Sequence, residues 1–204
     1  MAVRQIRIMG DEILTRKCKP VKAMNDRTME LIEDMFETMY QANGCGLAAP
    51  QVGVLKQIVT IDVDDGNQYV LINPEITATD GSQTGYEGCL SLPGKSGIVT
   101  RPNYVKVKAL NENMEPYELE GEGLLARAIC HECAHLDGQL YTELVEGELM
   151  DTETESEETI QTAPVCTGPY VVSGFTPEQT VTLAANPTYW DGTAGLDSIT
   201  VKQI

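Results

Sequence analysis

Both histidines of this 204-residue chain fall in one short stretch, ICHECAHLDG (129–138). His131 and His135 stand four residues apart, with Glu132 directly after the first. On an α-helix that spacing puts two side chains on one face, one turn apart. The enclosing run GLLARAICHECAHLDG (123–138) reads as a packed helix with Gly138 as its C-terminal stop. The two imidazoles can then hold one metal ion, at roughly 2.0–2.1 Å for zinc. Glu132 sits one position round the helix, outside the ligand position but within reach of a water on that metal as general base. Two ligands leave such a site incomplete, so the chain must fold to bring a third to this helix.

No further histidine exists to supply it. Glu143, Glu146 and Glu148 follow the helix closely in an acidic stretch and would give a zinc-peptidase arrangement with a glutamate third ligand. Cys89 is the better candidate, in the upstream segment GYEGCLSLPG, which reads as a glycine-bounded, exposed loop. Cys130 and Cys133 form a CxxC pair inside the histidine helix. Reactive pairs of that kind sit at a helix N-terminus, where the dipole lowers the thiol pKa. Here the pair is mid-helix or later, and Cys133 projects about 200° away from His131. Both are expected as small buried apolar residues.

The remaining pattern is that of an α+β chain. NDRTMELIEDMFETMYQANGCG reads as a helix: Met29, Ile32, Met35, Phe36 and Met39 recur at helical spacing, Asn25 or Asp26 can cap it, and Gly44 lies beyond its end. Strand-like runs follow at 57–63, 69–72, 76–79, 104–110 and 117–120, with Asp65-Gly66 as a turn between the first two. Strands enclosed by two helices argue for α+β rather than a regular βαβ alternation.

Charge divides the chain. Its net charge is −17, which disfavours nucleic acid and anionic membrane as partners. Residues 1–150 hold 13 of the 14 Lys and Arg against 23 acids, whereas 151–204 hold only Lys202 against 8 acids. Between them, DTETESEE (151–158) has five acids in eight residues and nothing apolar to bury. The expected division is a catalytic domain over 1–150, an acidic linker over 151–162 and an appendage over 163–204. No apolar run approaches the ~18 residues of a membrane span, and the N-terminus lacks the apolar core of a secretory signal. A cytoplasmic location is the expectation, and the six cysteines then read as free thiols, ligands or nucleophiles.

Three motifs together carry a resemblance. GCGLAAPQVG (44–53), EGCLS (87–91) and HECAHLDG (131–138) resemble, in order and spacing, the signature motifs of bacterial peptide deformylases, over about residues 7–146. The resemblance implies a deformylase-like α+β fold, its metal-bearing HExxH helix packed against antiparallel strands. It implies a metal held by Cys89, His131 and His135, with Glu132 as proton shuttle. It further implies that Gln51 and the backbone N–H of Leu90 bind the developing oxyanion, with Gly44, Gly46, Glu87 and Gly88 on the substrate side. The family favours iron(II); the donor set also suits zinc or another divalent transition metal. The implied substrates are N-formylmethionyl nascent peptides, with the ribosome at most a transient partner and the enzyme a monomer. The sequence departs from the family at Ala134, where the third motif carries Asp. Loss of that carboxylate is expected to weaken metal retention or stability without abolishing the chemistry; a catalytically impaired peptide-binding chimera is the non-enzyme alternative.

The appendage resembles something else. From Thr167, TGPYVVSGFTPEQTVTLAANPTYWDGTAGLDSITVKQI is similar to part of the solute-binding proteins of peptide ABC transporters, whose GTGPY and NPxYW patterns appear as CTGPY, with Cys166, and NPTYW. TVTLAAN and SITVKQI alternate like strands, and Tyr170, Phe175, Tyr189 and Trp190 are apolar surface in need of cover. A unit of ~40 residues rarely folds alone. The expectation is a short, partly disordered β-like fusion with no binding function of its own.

Overall fold

The computed structural model describes residues 2–152, 170–176, 180–185 and 198–202. The chain divides into two compact units, Met1–Thr152 and Glu153–Ile204.

In the first unit, helix α1 (Asp26–Gln41) begins where Asn25 Oδ1 accepts from the Thr28 N–H at 3.0 Å. A cap of this kind typically contributes about 1 kcal/mol. Seven strands follow: β1 (Gly46–Ala48), β2 (Ile58–Ile61), β3 (Tyr69–Asp80), β4 (Gln83–Cys89), β5 (Leu92–Arg101), β6 (Tyr104–Leu110) and β7 (Pro116–Glu122). Helix α2 (Gly123–Leu136) and the short strand β8 (Met150–Asp151) complete the unit. All pairings are antiparallel and make two sheets, in the orders β1-β2-β3-β6-β7 and β4-β5-β8.

The first sheet is buried on both faces near β1 to β3, which is why β2 (IVTI) is a continuous apolar run rather than an alternation. Val59, Ile61 and Leu71 pack with Ala126, Ile129 and Leu136 of α2. Ile58 and Ile72 point the other way, against Leu31, Ile32, Met35 and Met39 of α1. Helix α2 is therefore fixed by its apolar residues, and its histidines inherit that position.

The runs 69–72 and 76–79 prove to be one strand, β3, broken by irregular register between Ile72 and Glu75. At the break Asn73 takes φ 51, and its side chain bonds both backbone groups of Val21. A correction concerns the segment around Cys89. It is no exposed loop but the end of β4, half-buried and paired in a hairpin with β5.

In the second unit, β9 (Tyr170–Thr176), β10 (Thr180–Ala185) and β11 (Ser198–Lys202) form an antiparallel sheet in the order β11-β10-β9. Strands β10 and β11 occupy the two stretches whose alternation reads as strand; β9 was not expected. The acidic residues 153–158, Cys166, Tyr189 and Trp190 lie outside the described residues.

Candidate metal centre

Helix α2 is apolar where it meets the sheet, and the same burial takes in His131, Glu132 and His135. The hairpin β4–β5 brings Cys89 to this helix. Cys89 Sγ lies 3.2 Å from His135 Nε2, which lies 3.2 Å from His131 Nε2. The three donor atoms fall within 4.8 Å of one another, the one such group among the described residues. A tetrahedron with bonds of about 2.0–2.3 Å has edges of roughly 3.3–3.6 Å, so one thiol and two imidazoles converge as a metal requires. The alternative third ligands do not join them. Glu143, Glu146 and Glu148 are exposed, and Glu146 accepts from Thr100 Oγ1 at 2.6 Å. Cys130 and Cys133 also stand apart, packed in or against the apolar cluster beneath α2, and burial pushes the Cys133 thiol up to about 12.

Glu87 lines the cleft, but its carboxylate is turned toward the protein interior. Its carboxylate is buried, accepting from Arg101 Nη2 at 2.6 Å and Arg127 Nη1 at 2.8 Å, and it meets His131 Nδ1 at 2.7 Å. Burial alone would raise its pKa, but the bonds from His131 and Arg101 outweigh it and hold the group at about 2. An ionised Glu87 accepts from the Nδ1–H of His131 and turns Nε2 toward Cys89 and His135. Sequence reading assigned no role to Arg101 or Arg127. An arginine within the apolar run LLARAIC was the available signal, since a buried cation needs a buried partner.

Gln51 lies in a 3-10 turn, Ala49–Val52, and is 1% exposed. Its Oε1 accepts from the Ala48 N–H at 2.8 Å, which turns Nε2 toward Ser91 Oγ at 3.1 Å and Cys89 Sγ at 3.5 Å. The Ser91 N–H also donates to Cys89 Sγ, at 3.4 Å. Ser91, inside EGCLS but given no role from sequence, thus helps surround the sulfur with donors. Gly44 and Gly46 owe their identity to close neighbours. A Cβ at Gly44 would come within 2.7 Å of Leu90 Cδ1, and one at Gly46 would collide with Glu132 Oε1.

Burial pushes His135 down to about 3, with His131 as the second cause. His131 moves the other way, to about 10: burial lowers it, but its bonds to Cys89 and Glu87 and the charge of Glu132 prevail. Two Nε2 atoms 3.2 Å apart cannot both direct a proton at each other, so at most one of them donates. Both must be free of protons to serve as ligands of one metal. Burial also raises Glu132, to about 7. Glu132 Oε2 and His135 Nδ1 have no hydrogen-bond partner among the described residues. Ala134 is half-buried, and its carbonyl accepts from the Asp137 and Gln139 N–H groups, each at 3.0 Å.

A cleft of about 660 Å³ opens over this centre. Gly44, Gly46, Gln51, Glu87, Gly88, Cys89, Leu90, His131 and Glu132 all line it, so three distant segments of sequence meet at one place. The arrangement joins a metal-binding donor set, a buried carboxylate of raised pKa and an oriented amide donor. It suits hydrolysis of a carbonyl compound.

Comparison with known proteins agrees. The sequence profile of the family described as Polypeptide deformylase matches residues 3–149. The peptide deformylase of Lachnoclostridium phytofermentans is 62% identical over 160 residues, covering 78% of this chain and 98% of that protein. That of Agathobacter rectalis is 60% identical over 155 residues, covering 76% of this chain and 98% of that protein. Among solved structures, the peptide deformylase of Legionella pneumophila superposes with a TM-score of 0.69 at 44% identity, covering 71% of this chain and 87% of that one. The Synechococcus elongatus peptide deformylase, solved in complex with actinonin, gives 0.68 at 43% identity over 70% of this chain and 79% of that one.

Proposed function

The chain belongs to the polypeptide deformylase family, and on that premise we propose a division of labour among its residues. The enzyme is a metal-dependent hydrolase that removes the N-formyl group from formylmethionine at the N-terminus of newly made proteins.

Cys89, His131 and His135 would hold the metal, which supplies Lewis acidity toward the formyl oxygen and an activated water. Iron(II) is the favoured ion on the family resemblance, and one thiolate with two imidazoles suits it. Glu132 accepts the proton of the attacking water and returns it to the leaving amine. Burial of the Glu132 carboxyl raises its affinity for a proton, which favours its taking one from water. Gln51 Nε2 and the Leu90 N–H donate to the oxygen on which charge develops, and Ala48 holds the Gln51 amide in the required sense. Glu87 orients His131 and touches no substrate. Among the described residues the outer edge of β4 has no strand partner, so a peptide can lie along it at Gly88 as an added strand, with Gly44 and Gly46 across the cleft.

The enzyme is read as a cytoplasmic monomer that meets the ribosome only in passing. No helix among the described residues is long and apolar enough to cross a membrane. Residues 163–204 are read as a partial solute-binding-protein-like fusion, joined through the linker 151–162, with no part in catalysis.

The convergence of Cys89, His131 and His135 beside Glu132 carries this reading. Its test is formate release from a formyl-Met dipeptide by anaerobically prepared, iron(II)-loaded protein. Turnover is expected and should vanish in Glu132→Ala with the metal retained. Bound metal without turnover in the unaltered protein would overturn it.

A further inference from the structure

Two cationic side chains besides His131 line the cleft, and they are unequal. Arg127 is buried, and its guanidinium is committed to Glu87 and to the carbonyls of Val99 and Gln83. The side chain of Lys95 is 41% exposed and lies on the cleft wall.

A bulge puts it there. Gly88 pairs with Ser96 and Cys89 with Leu92, so Pro93, Gly94 and Lys95 have no partners on β4 and all three line the cleft. Gly94 takes φ +72, which admits the excursion. Strand β8 pins the bulge from its outer side. The Thr152 N–H donates to the Gly94 carbonyl at 3.0 Å, Tyr141 OH to the Lys95 carbonyl at 3.2 Å, and Lys95 and Asp151 are partners in register. The Lys95 ammonium is ion-paired with Asp151, whose side chain is 79% exposed.

We propose that Lys95 is a specificity-determining residue that reads negative charge on the formylated peptide beyond its first residue, and that Asp151 is a built-in competitor for the same ammonium. The proposal rests on the deformylase reading of the cleft. Gly88 and the bulge residues Pro93, Gly94 and Lys95 line the same cleft, so a peptide lying at Gly88 shares that space with the Lys95 side chain. An exposed ion pair is weak and exchanges readily, so a substrate carboxylate can take the place of Asp151 without leaving the ammonium unpaired. The net charge of −17 otherwise repels acidic peptides, and among the described lining residues Lys95 is the lysine that can offset it locally.

The test uses the full metal-loaded chain and two formyl-Met tripeptides that differ only in Glu or Gln at the third position. The readout is the Glu/Gln ratio of kcat/KM in unaltered protein, Asp151→Asn, Lys95→Gln and the double variant. Asp151→Asn should raise the ratio by about two- to five-fold at low salt. Lys95→Gln should lower it, the double variant should show no gain, and high salt should erase the difference. A ratio unmoved by Asp151→Asn, or raised equally without Lys95, overturns the proposal alone, since the Gln peptide still reports deformylation. No turnover of either peptide by the unaltered enzyme would sink the deformylase reading and this proposal with it.

Discussion

Gly46 and Glu132 share one pocket of space: a side chain on the first would strike the carboxylate of the second. The glycine comes from β1 and the glutamate from α2, 86 positions later in the sequence. The requirement for glycine here is steric, because even a methyl group would push Glu132 out of place.

Gly46→Ala is therefore expected to lower kcat/KM at least about tenfold by displacing the general base. Gly46 contacts none of the metal ligands through a side chain, so metal content should stay near stoichiometric. Rate and metal analysis on the same preparation separate the two. Full activity in the variant would show that Glu132 has room to move.

Glu87→Gln removes the anion that fixes His131 and leaves Arg101 and Arg127 buried without their counter-charge. Metal affinity should fall by about 10–100-fold, measured by competition with a chelator. The variant should also change the acid stability of the fold. The folded pKa of about 2 lies below the ordinary value of 4.5. The contribution of Glu87 is therefore full above pH 4.5 and is lost as pH falls toward 2. Urea midpoints of wild type and variant should converge across that window and stay apart above it.

Ala134→Asp introduces the carboxylate that the motif resemblance implies at this position. Metal retention against a chelator, melting temperature or turnover should improve. If all three stayed at the wild-type value, the alanine would be neutral in this chain.

Ending the chain at Thr152 should leave the catalytic unit folded and active. Both apolar clusters, the metal-binding group and β8 lie within Met1–Thr152. Formate release within about twofold of the full chain is expected. A large loss would give residues 153–204 a role in the enzyme.

What could be read from sequence follows the range of the interaction. The pairing of His131 with His135 is a matter of helical period, legible from five consecutive residues. The hairpin carrying Cys89 was missed because GYEGCLSLPGKSG is too rich in glycine to signal strand; cross-strand pairing fixes it instead. The partners of Glu87 were illegible for a related reason. Its partners Arg101, Arg127 and His131 lie 14, 40 and 44 residues away, and no local pattern announces them. Gln51 carried its motif but not its geometry, which depends on the Ala48 N–H.

The bulge at Pro93, Gly94 and Lys95 lies between two anchored pairs, Cys89 with Leu92 and Gly88 with Ser96. Side chains can be exchanged between those anchors without touching either pair. Mutation can therefore retune which peptides this enzyme favours without first disturbing the centre that cleaves them. Substrate preference in such a chain is free to drift over evolutionary time while its chemistry stands still.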